Sequence, residues 1–320
     1  MLVPQRPAER EEAGVELRRL GASGLRVSLA GLGCNNFGMR IDAAATSEVV
    51  HAALDAGITF FDTARSYGGG RSEEFLGAAL KGHRDEVVVA TKFGSAMIED
   101  RGSRAELVRS LETSLRALGT DHVDLLQFHY PDPRTPIAET LDALDDAVRS
   151  GKARYIGCSN ADGWWIAEAH WTAATRHTTP FVSVQNEWSL LHRRIELEVT
   201  TAAERYGLGV LPFFPLTSGL LTGKIRPGQP APSDSRLADQ RFGAVATEAN
   251  LAKVERLRAY ADGRGWSMTR LALSWLASHQ VVSSVIAGAT KPEQVRENAE
   301  ATTADLTPDE LGEIATLVDG

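Results

Sequence analysis

Cysteine is nearly absent from this chain. Its two cysteines, Cys34 and Cys158, cannot build the disulfide framework of a small secreted domain, and a reducing cytoplasm is the expected compartment. No apolar run approaches the roughly 20 residues that cross a bilayer. Residues 1–14 carry Arg6, Glu9, Arg10, Glu11 and Glu12 without an apolar stretch, so they read as a flexible leader rather than a secretory signal. Basic charge is in deficit: 34 Lys and Arg against 42 Asp and Glu leave a net −8, where a nucleic-acid partner would call for a basic face. The eight histidines lack H-E-x-x-H spacing and the cysteines form no paired motif, so no metal site is expected. A G-x-G-x-x-G fingerprint also fails, because Gly31 and Gly33 are followed by Asn36 where the third glycine belongs. No internal repeat or low-complexity linker marks a domain boundary, and residues 15–320 read as a single domain after the leader.

A short apolar strand, a turn and an amphipathic helix recur along the chain. Val15–Leu17 and Leu25–Val27, joined through Gly21 and Gly24, read as an opening hairpin. Eight compact apolar strands follow at Leu29–Gly33, Phe60–Thr63, Val87–Thr91, Val123–Phe128, Tyr155–Gly157, Val182–Val184, Gly209–Phe213 and Ser284–Ile286. Helical patterns fall at 45–56, 72–82, 104–119, 137–150, 161–175, 195–206, 250–262, 268–278 and 292–301. The stripe of 104–119 is Leu107, Val108, Leu111, Leu115 and Leu118, opened by a Ser103–Glu106 capping box. Such alternation implies parallel strands with right-handed crossovers, and eight units favour a closed (β/α)₈ TIM barrel with an N-terminal hairpin. Thr307-Pro308-Asp309-Glu310 starts an extra C-terminal helix. Residues 226–242, rich in Pro, Gly, Asp and Ser, are too long for an ordinary connection and read as a functional lid or a disordered loop.

In such a barrel the C-terminal strand ends form the active site. Asp62 closes the second strand and Tyr67 follows in the next turn. Lys92 ends the third and His129 the fourth. Taken singly, an Asp after a strand is more often a cap, a His a satisfied core residue, and a Tyr beside Gly68-Gly69-Gly70 a packed loop residue. At successive strand ends they suggest a proton-transfer device instead. Free tyrosine, with a pKa near ~10, is a weak acid at neutral pH. An ammonium at Lys92 would lower that value, Asp62 would hold Lys92, and His129 could orient a carbonyl oxygen.

Phe60-Phe61-Asp62-Thr63-Ala64 with Tyr67-Gly68, then Thr91-Lys92, then Gln127-Phe128-His129, resembles the Asp, Tyr, Lys and His set of the aldo-keto reductase superfamily. The resemblance runs from Leu20 to about Ala301. It implies hydride transfer from NADPH, with NADH as the alternative, to a small aldehyde or ketone, with no membrane or nucleic-acid partner. It implies that Ser159, Asn160 and Gln185 hold the nicotinamide carboxamide. Phe213 stands where the family usually stacks a tyrosine on the nicotinamide ring, and keeps the stacking face. Phe214, Leu216, Gly219 and Lys224 match the pyrophosphate segment, with Arg236 and Arg241 as further phosphate partners. Gly288, Thr290, Gln294 and Asn298 match the adenosine site. Relatives carry a Lys-Ser pair and an Arg at Gly288, Ala289 and Gln294, which leaves Thr290, Lys291 and Arg296 for a 2′-phosphate. Gly33, Cys34 and Asn35 sit at the rim of the first strand.

Of the remaining residues, Cys158 reads as packing, Trp164, Trp165 and Trp171 as outer packing, and Tyr130 and Trp188 as pocket wall. Two other functions fit parts of the pattern. Lys92 could be the Schiff-base lysine of a barrel aldolase, which gives Ser159, Asn160, Gln185 and 286–298 no task. The resemblance also includes regulatory subunits that bind NADPH with little turnover.

Overall fold

The computed structural model describes residues 15–226, 237 and 243–319. The expected leader, most of the expected lid, Arg236 and Arg241 lie outside the described residues. Eight parallel strands form one sheet: β3 (Ala30–Gly33), β4 (Phe60–Asp62), β5 (Val88–Phe93), β6 (Val123–Phe128), β7 (Ala153–Ser159), β8 (Ser183–Gln185), β9 (Gly209–Val210) and β10 (Val285–Gly288). They pair in the order β10-β3-β4-β5-β6-β7-β8-β9. Single bridges Val210↔Val282 and Phe213↔Ile286 join the two ends into a (β/α)₈ barrel. The seventh barrel strand is shorter than expected because Pro212 has no N–H to donate; its carbonyl still accepts from Ile286 N at 2.9 Å.

Side chains alternate between the two faces of each strand. Phe60, Ala90, Leu125, Leu211 and Ile286 point inward and cluster together, whereas Phe61, Val89, Leu126 and Val285 join the larger core under the helices. The same alternation carries Asp62, Lys92 and Gln127 inward, one step nearer the C-terminal rim. Inward-facing polar side chains at three neighbouring strands thus follow directly from strand register.

The antiparallel hairpin β1 (Leu17–Arg19) and β2 (Arg26–Ser28) closes the opposite end, displaced by one or two residues from the expected ranges. Its Leu20 and Val27 complete the inner cluster. Gly21, at φ +57°, lies so close to the entry of β9 that a Cβ would meet Gly207 O at 2.4 Å. Only glycine fits there.

The surrounding helices are α1 (Ala43–Asp55), α2 (Arg71–Ala79), α3 (Arg104–Leu118), α4 (Ile137–Arg149), α5 (Gly163–Arg176), α6 (Val199–Tyr206), α7 (Glu248–Gly263), α8 (Met268–Ala277), α9 (Pro292–Ala301) and α10 (Pro308–Asp319). The expected helix 195–206 divides into a 3₁₀ turn, Arg194–Leu197, and α6, because Glu198 leaves helical geometry at φ −150°. Val108 is not on the buried stripe of α3; it is half exposed, one position round from Leu107. The Thr307–Glu310 capping box forms in both directions. At α3 only half of one forms: Glu106 N donates to Ser103 Oγ, but the Glu106 carboxylate turns to Arg65 and Ser110. Trp164 and Trp171 on α5 are exposed rather than packed, while Trp165 stacks on Phe181. No helix among the described residues is long and apolar enough to cross a membrane.

Leu20 is fully buried and plugs the barrel floor. Leu20→Ala should lower the unfolding free energy by about 2–5 kcal/mol in urea titration, because the rigid strand ends cannot collapse onto the space. A loss under about 1 kcal/mol would mean that the hairpin is not part of the cooperative core.

Candidate active site

Lys92 Nζ, at the inner rim of β5, donates to Asp62 Oδ2 at 2.6 Å, Thr63 O at 2.9 Å and Tyr67 Oη at 3.3 Å. The lysine is 1% exposed and Asp62 2%. The second carboxylate oxygen, Oδ1, accepts from Gln127 Nε2 and Gln185 Nε2, both at 2.9 Å. The expected pairing of Asp62, Tyr67 and Lys92 is therefore one hydrogen-bonded group. Its three acceptors match the three protons of an ammonium.

Tyr67 begins a one-turn 3₁₀ helix, Tyr67–Gly70, whose three glycines all have positive φ. A Cβ on Gly68 would meet Phe37 O at 2.5 Å, so this turn can close only on glycine. The loop is tied back by Arg65, which bonds to Glu106 and Ser110 of α3. His129 follows β6, and its ring meets the Tyr67 ring edge-on at 6.0 Å between centroids. The backbone carbonyl of His129 accepts from Asn160 Nδ2 at 2.9 Å.

Burial dominates the electrostatics. It pushes the Tyr67 phenol above its ordinary value; the nearby Lys92 charge pulls the other way without cancelling it. The expected lowering by Lys92 is present, but desolvation of the phenolate outweighs it and the net displacement is upward. For Lys92, burial works to lower the value, but Asp62 and Tyr67 outweigh it, and the ammonium is held above its usual range. Burial, helped by the Lys92 charge, lowers His129 to about 3, leaving a neutral imidazole. Glu73, behind β5, is pushed up by burial although Thr91 Oγ1 donates to it at 2.5 Å.

A cavity of about 590 Å³ opens beside this group. Asp62, Tyr67 and His129 reach its wall, as do Gly33, Asn35, Ser159, Asn160, Gln185, Phe213, Phe214, Leu216, Gly219, Lys224, Gly288, Thr290, Gln294 and Asn298. Cys34 does not: it is fully buried and its thiol donates to Leu32 O at 3.5 Å, on the outer face of β3. Trp188 also turns away, packing on Trp275 and His279 and donating to Glu196; Tyr130 does line the wall. Thr290 N and Oγ1 both donate to Gln294 Oε1, at 2.8 and 3.2 Å. Lys291 and Arg296 are exposed and outside the lining, whereas Glu297 is within it.

The sequence reading passed over Asn36, Arg40, Ser95, Ser218 and Glu297 on the wall, and Gln127 behind it. Gln127 was within reach of sequence reasoning, since it shares inward parity with Leu125 on β6. Asn36, Arg40, Ser95 and Ser218 lie on loops and turns whose course no period describes, whereas Glu297 lies on α9.

The lining divides by strand. β3 and the loops after β3 to β6 give Asn36, Arg40, Ser66, Ser95 and Tyr130 with the expected rim residues Gly33 and Asn35; β7, β8, β10 and the segments after β7 to β10 give the other residues expected to hold a dinucleotide. Along Phe213–Lys224, Phe214, Thr217, Ser218 and Gly219 all take positive φ, between +47° and +99°. Non-glycine residues in that region cost of order 1–3 kcal/mol each, and they gather at binding sites. Thr217, Ser218 and Gly219 are consecutive left-handed residues in a turn that closes on itself, Thr217 N donating to Phe214 O at 2.8 Å and Gly219 N to Leu216 O at 2.9 Å, with Lys224 on the same cavity wall. Lys224 gives this half of the cavity a cation that could hold a dinucleotide diphosphate.

The model of the Aldo/keto reductase family matches residues 30–319. The chain is 38% identical over 320 residues to a probable voltage-gated potassium channel subunit beta of Oryza sativa subsp. japonica, covering 95% of this chain and 97% of that protein. It is 36% identical over 307 residues to the uncharacterized oxidoreductase YrpG of Bacillus subtilis, covering 91% of this chain and 92% of the other. It is 35% identical over 318 residues to the L-glyceraldehyde 3-phosphate reductase of Escherichia coli (strain K12), covering 90% and 87%.

With a folded value near 3, His129 should show no imidazole titration by NMR between roughly pH 5 and 8. The unfolded chain takes up this proton more readily, so its contribution to stability is present at neutral pH and fades as pH falls from ~6.5. A midpoint near 6.5 for His129 would contradict a desolvated neutral ring.

Proposed function

The chain belongs to the aldo/keto reductase family, and we propose that it reduces a small aldehyde or ketone to the alcohol with NADPH, Tyr67 giving the proton. The observation that carries this reading is the triple contact of Lys92 Nζ with Asp62, Thr63 O and Tyr67 beside the cavity. When bound, the reduced dinucleotide supplies a hydride to the carbonyl carbon. The neutral His129 ring offers an N–H to the carbonyl oxygen and orients it. As negative charge develops on that oxygen, Tyr67 passes its proton there, because an alkoxide is a far stronger base than a phenolate. The raised value of Tyr67 keeps that proton available at neutral pH. Lys92 then faces the phenolate as a fixed charge, and Asp62 prevents it from giving up its own proton.

In the same reading Ser159, Asn160 and Gln185 hold the nicotinamide carboxamide and Phe213 covers the ring. Phe214, Leu216, Gly219 and Lys224 hold the diphosphate, and Gly288, Thr290, Gln294 and Asn298 the adenosine, with Gly33 and Asn35 at the rim. All of them lie on the cavity wall, which supports a single extended ligand. The other half of the cavity sets Arg40, Asn36, Ser66 and Ser95 beside Ala96, Met97 and Tyr130. With a relative named L-glyceraldehyde 3-phosphate reductase, it points to a short hydroxylated aldehyde.

The aldolase reading loses its support. A Schiff-base lysine must release a proton to become nucleophilic, and the three acceptors around Lys92 hold the ammonium above its ordinary value. A regulatory reading draws on the names of the plant relatives, and turnover separates it from the enzyme.

Tyr67→Phe should lower reduction of glyceraldehyde by roughly 10²–10⁴-fold, with dinucleotide affinity, read by fluorescence quenching, unchanged. Retained turnover in this variant would remove Tyr67 from the mechanism, and tight cofactor binding by wild type without turnover on any carbonyl would favour the regulatory role. In the same titration any preference for NADPH over NADH should stay below about tenfold, or 1.4 kcal/mol, because Lys291 and Arg296 stand outside the lining and Glu297 within it. A larger preference would contradict this placement, and equal affinities would make NADH a full alternative.

A further inference from the structure

We infer that Gln127 is a positioning residue for the reaction: through Asp62 Oδ1 it fixes the carboxylate that holds Lys92 against Tyr67. This rests on the function proposed above. Gln127 is fully buried and absent from the cavity wall, so no ligand there touches it. It stands directly beside Lys92 in the β5–β6 ladder and beside Gly157 in the β6–β7 ladder. A Cβ at Gly157 would collide with Ser183 Oγ at 2.2 Å and would lie in ordinary contact with Gln127 Cγ at 3.5 Å, so Gln127 is held closely between the two neighbouring strands. From this slot its Nε2 reaches Asp62 Oδ1 at 2.9 Å.

Two amides share that one oxygen, and they are not equivalent. Gln185 lines the cavity and is exposed to whatever binds there, whereas Gln127 is not. If a bound amide or carbonyl draws on Gln185, its bond to Asp62 can lengthen or turn. Gln127 keeps the carboxylate plane in place meanwhile, with Oδ2 toward Lys92. A carboxylate free to rotate would carry the ammonium with it, and misplacement by about 1 Å can reduce rate by ~10²-fold.

The charge effect has a definite sign. The Gln127 N–H dipole disperses part of the Asp62 charge. Without it Tyr67 faces a less compensated carboxylate and becomes a weaker acid. The titratable groups around Asp62, Lys92 and Tyr67 are Cys34 from β3, Glu73 behind β5, and His129 and Tyr130 after β6. None of them bonds to Asp62 Oδ1 among the described contacts, so the effect of Gln127 is separable from theirs.

Three measurements on the full chain test this. Gln127→Met keeps volume and removes the donor; kcat for glyceraldehyde should fall about tenfold while dinucleotide Kd stays within about twofold. The alkaline limb of kcat against pH should move upward, and Gln127→Glu, which adds a carboxylate beside Asp62, should move it further the same way. The near-ultraviolet phenolate titration, taken as the difference from the matching Tyr67→Phe variants, should shift upward in the same order. This last reading needs no turnover, so it separates failure of Gln127's role from failure of the proposed reaction. If Gln127→Met does not fold, Gln127→Glu decides. Unchanged kcat and an unmoved Tyr67 titration in a folded variant would reduce Gln127 to packing and overturn the proposal.

Discussion

An ion pair taken out of water governs the rim of this barrel. Asp62 and Lys92 are almost wholly buried, and their contact of 2.6 Å must offset the loss of two hydration shells. Attraction alone seldom does so; the remaining lone pairs and protons must also be satisfied. Here they are, by Thr63 O and Tyr67 on the lysine side and by two glutamine amides on the carboxylate side. Removing either charge would leave the other buried without a partner, a loss of about 3–5 kcal/mol in comparable sites. The arrangement proposed to react is therefore also a structural one, and the barrel cannot relax it cheaply.

Dryness at the ion pair explains the acid–base pattern around it. Each neighbouring group is displaced in the direction that burial dictates for its own charge type: the phenol of Tyr67 and the thiol of Cys34 upward, the imidazole of His129 downward. Lys92 is the exception, since its partners overcome burial. The outcome is one permanent cation facing one neutral phenol and one neutral imidazole. Such a set can donate hydrogen bonds and a proton to an oxygen without first having to collect a proton from solvent.

The cavity shows how the fold separates two tasks. The first four barrel strands and the loops after them bring the residues proposed for proton transfer and a mixed polar and apolar wall, while loops following the last four bring the strained segment and Lys224. Backbone strain at Phe214, Thr217 and Ser218 is held by the rigid frame beneath, where Pro212 interrupts β9 and single bridges carry the closure. A segment freed from ladder bonding can fold into a tight turn that brings Gly219 and Lys224 to the cavity wall. One still committed to a strand could not.

Composition, strand period and motif order determined the barrel, its hairpin, its final helix and the residues Asp62, Tyr67, Lys92 and His129. Each of these follows from local pattern: alternation of two for strands, 3.6 for helices, and a titratable side chain where an apolar run stops. What pattern could not supply was the sum of long-range terms. Whether Tyr67 moves up or down depends on how much protein surrounds it against how near one ammonium lies, and only the packed rim sets both. Cys34 and Trp188 occupied suitable places along the chain but turned outward by strand parity and helix packing. Gln127 sat unremarked inside a quoted motif until its amide met Asp62 from 65 residues away. Sequence chose the groups; closure of the barrel chose their distances, and distance in a dry interior decides their charge.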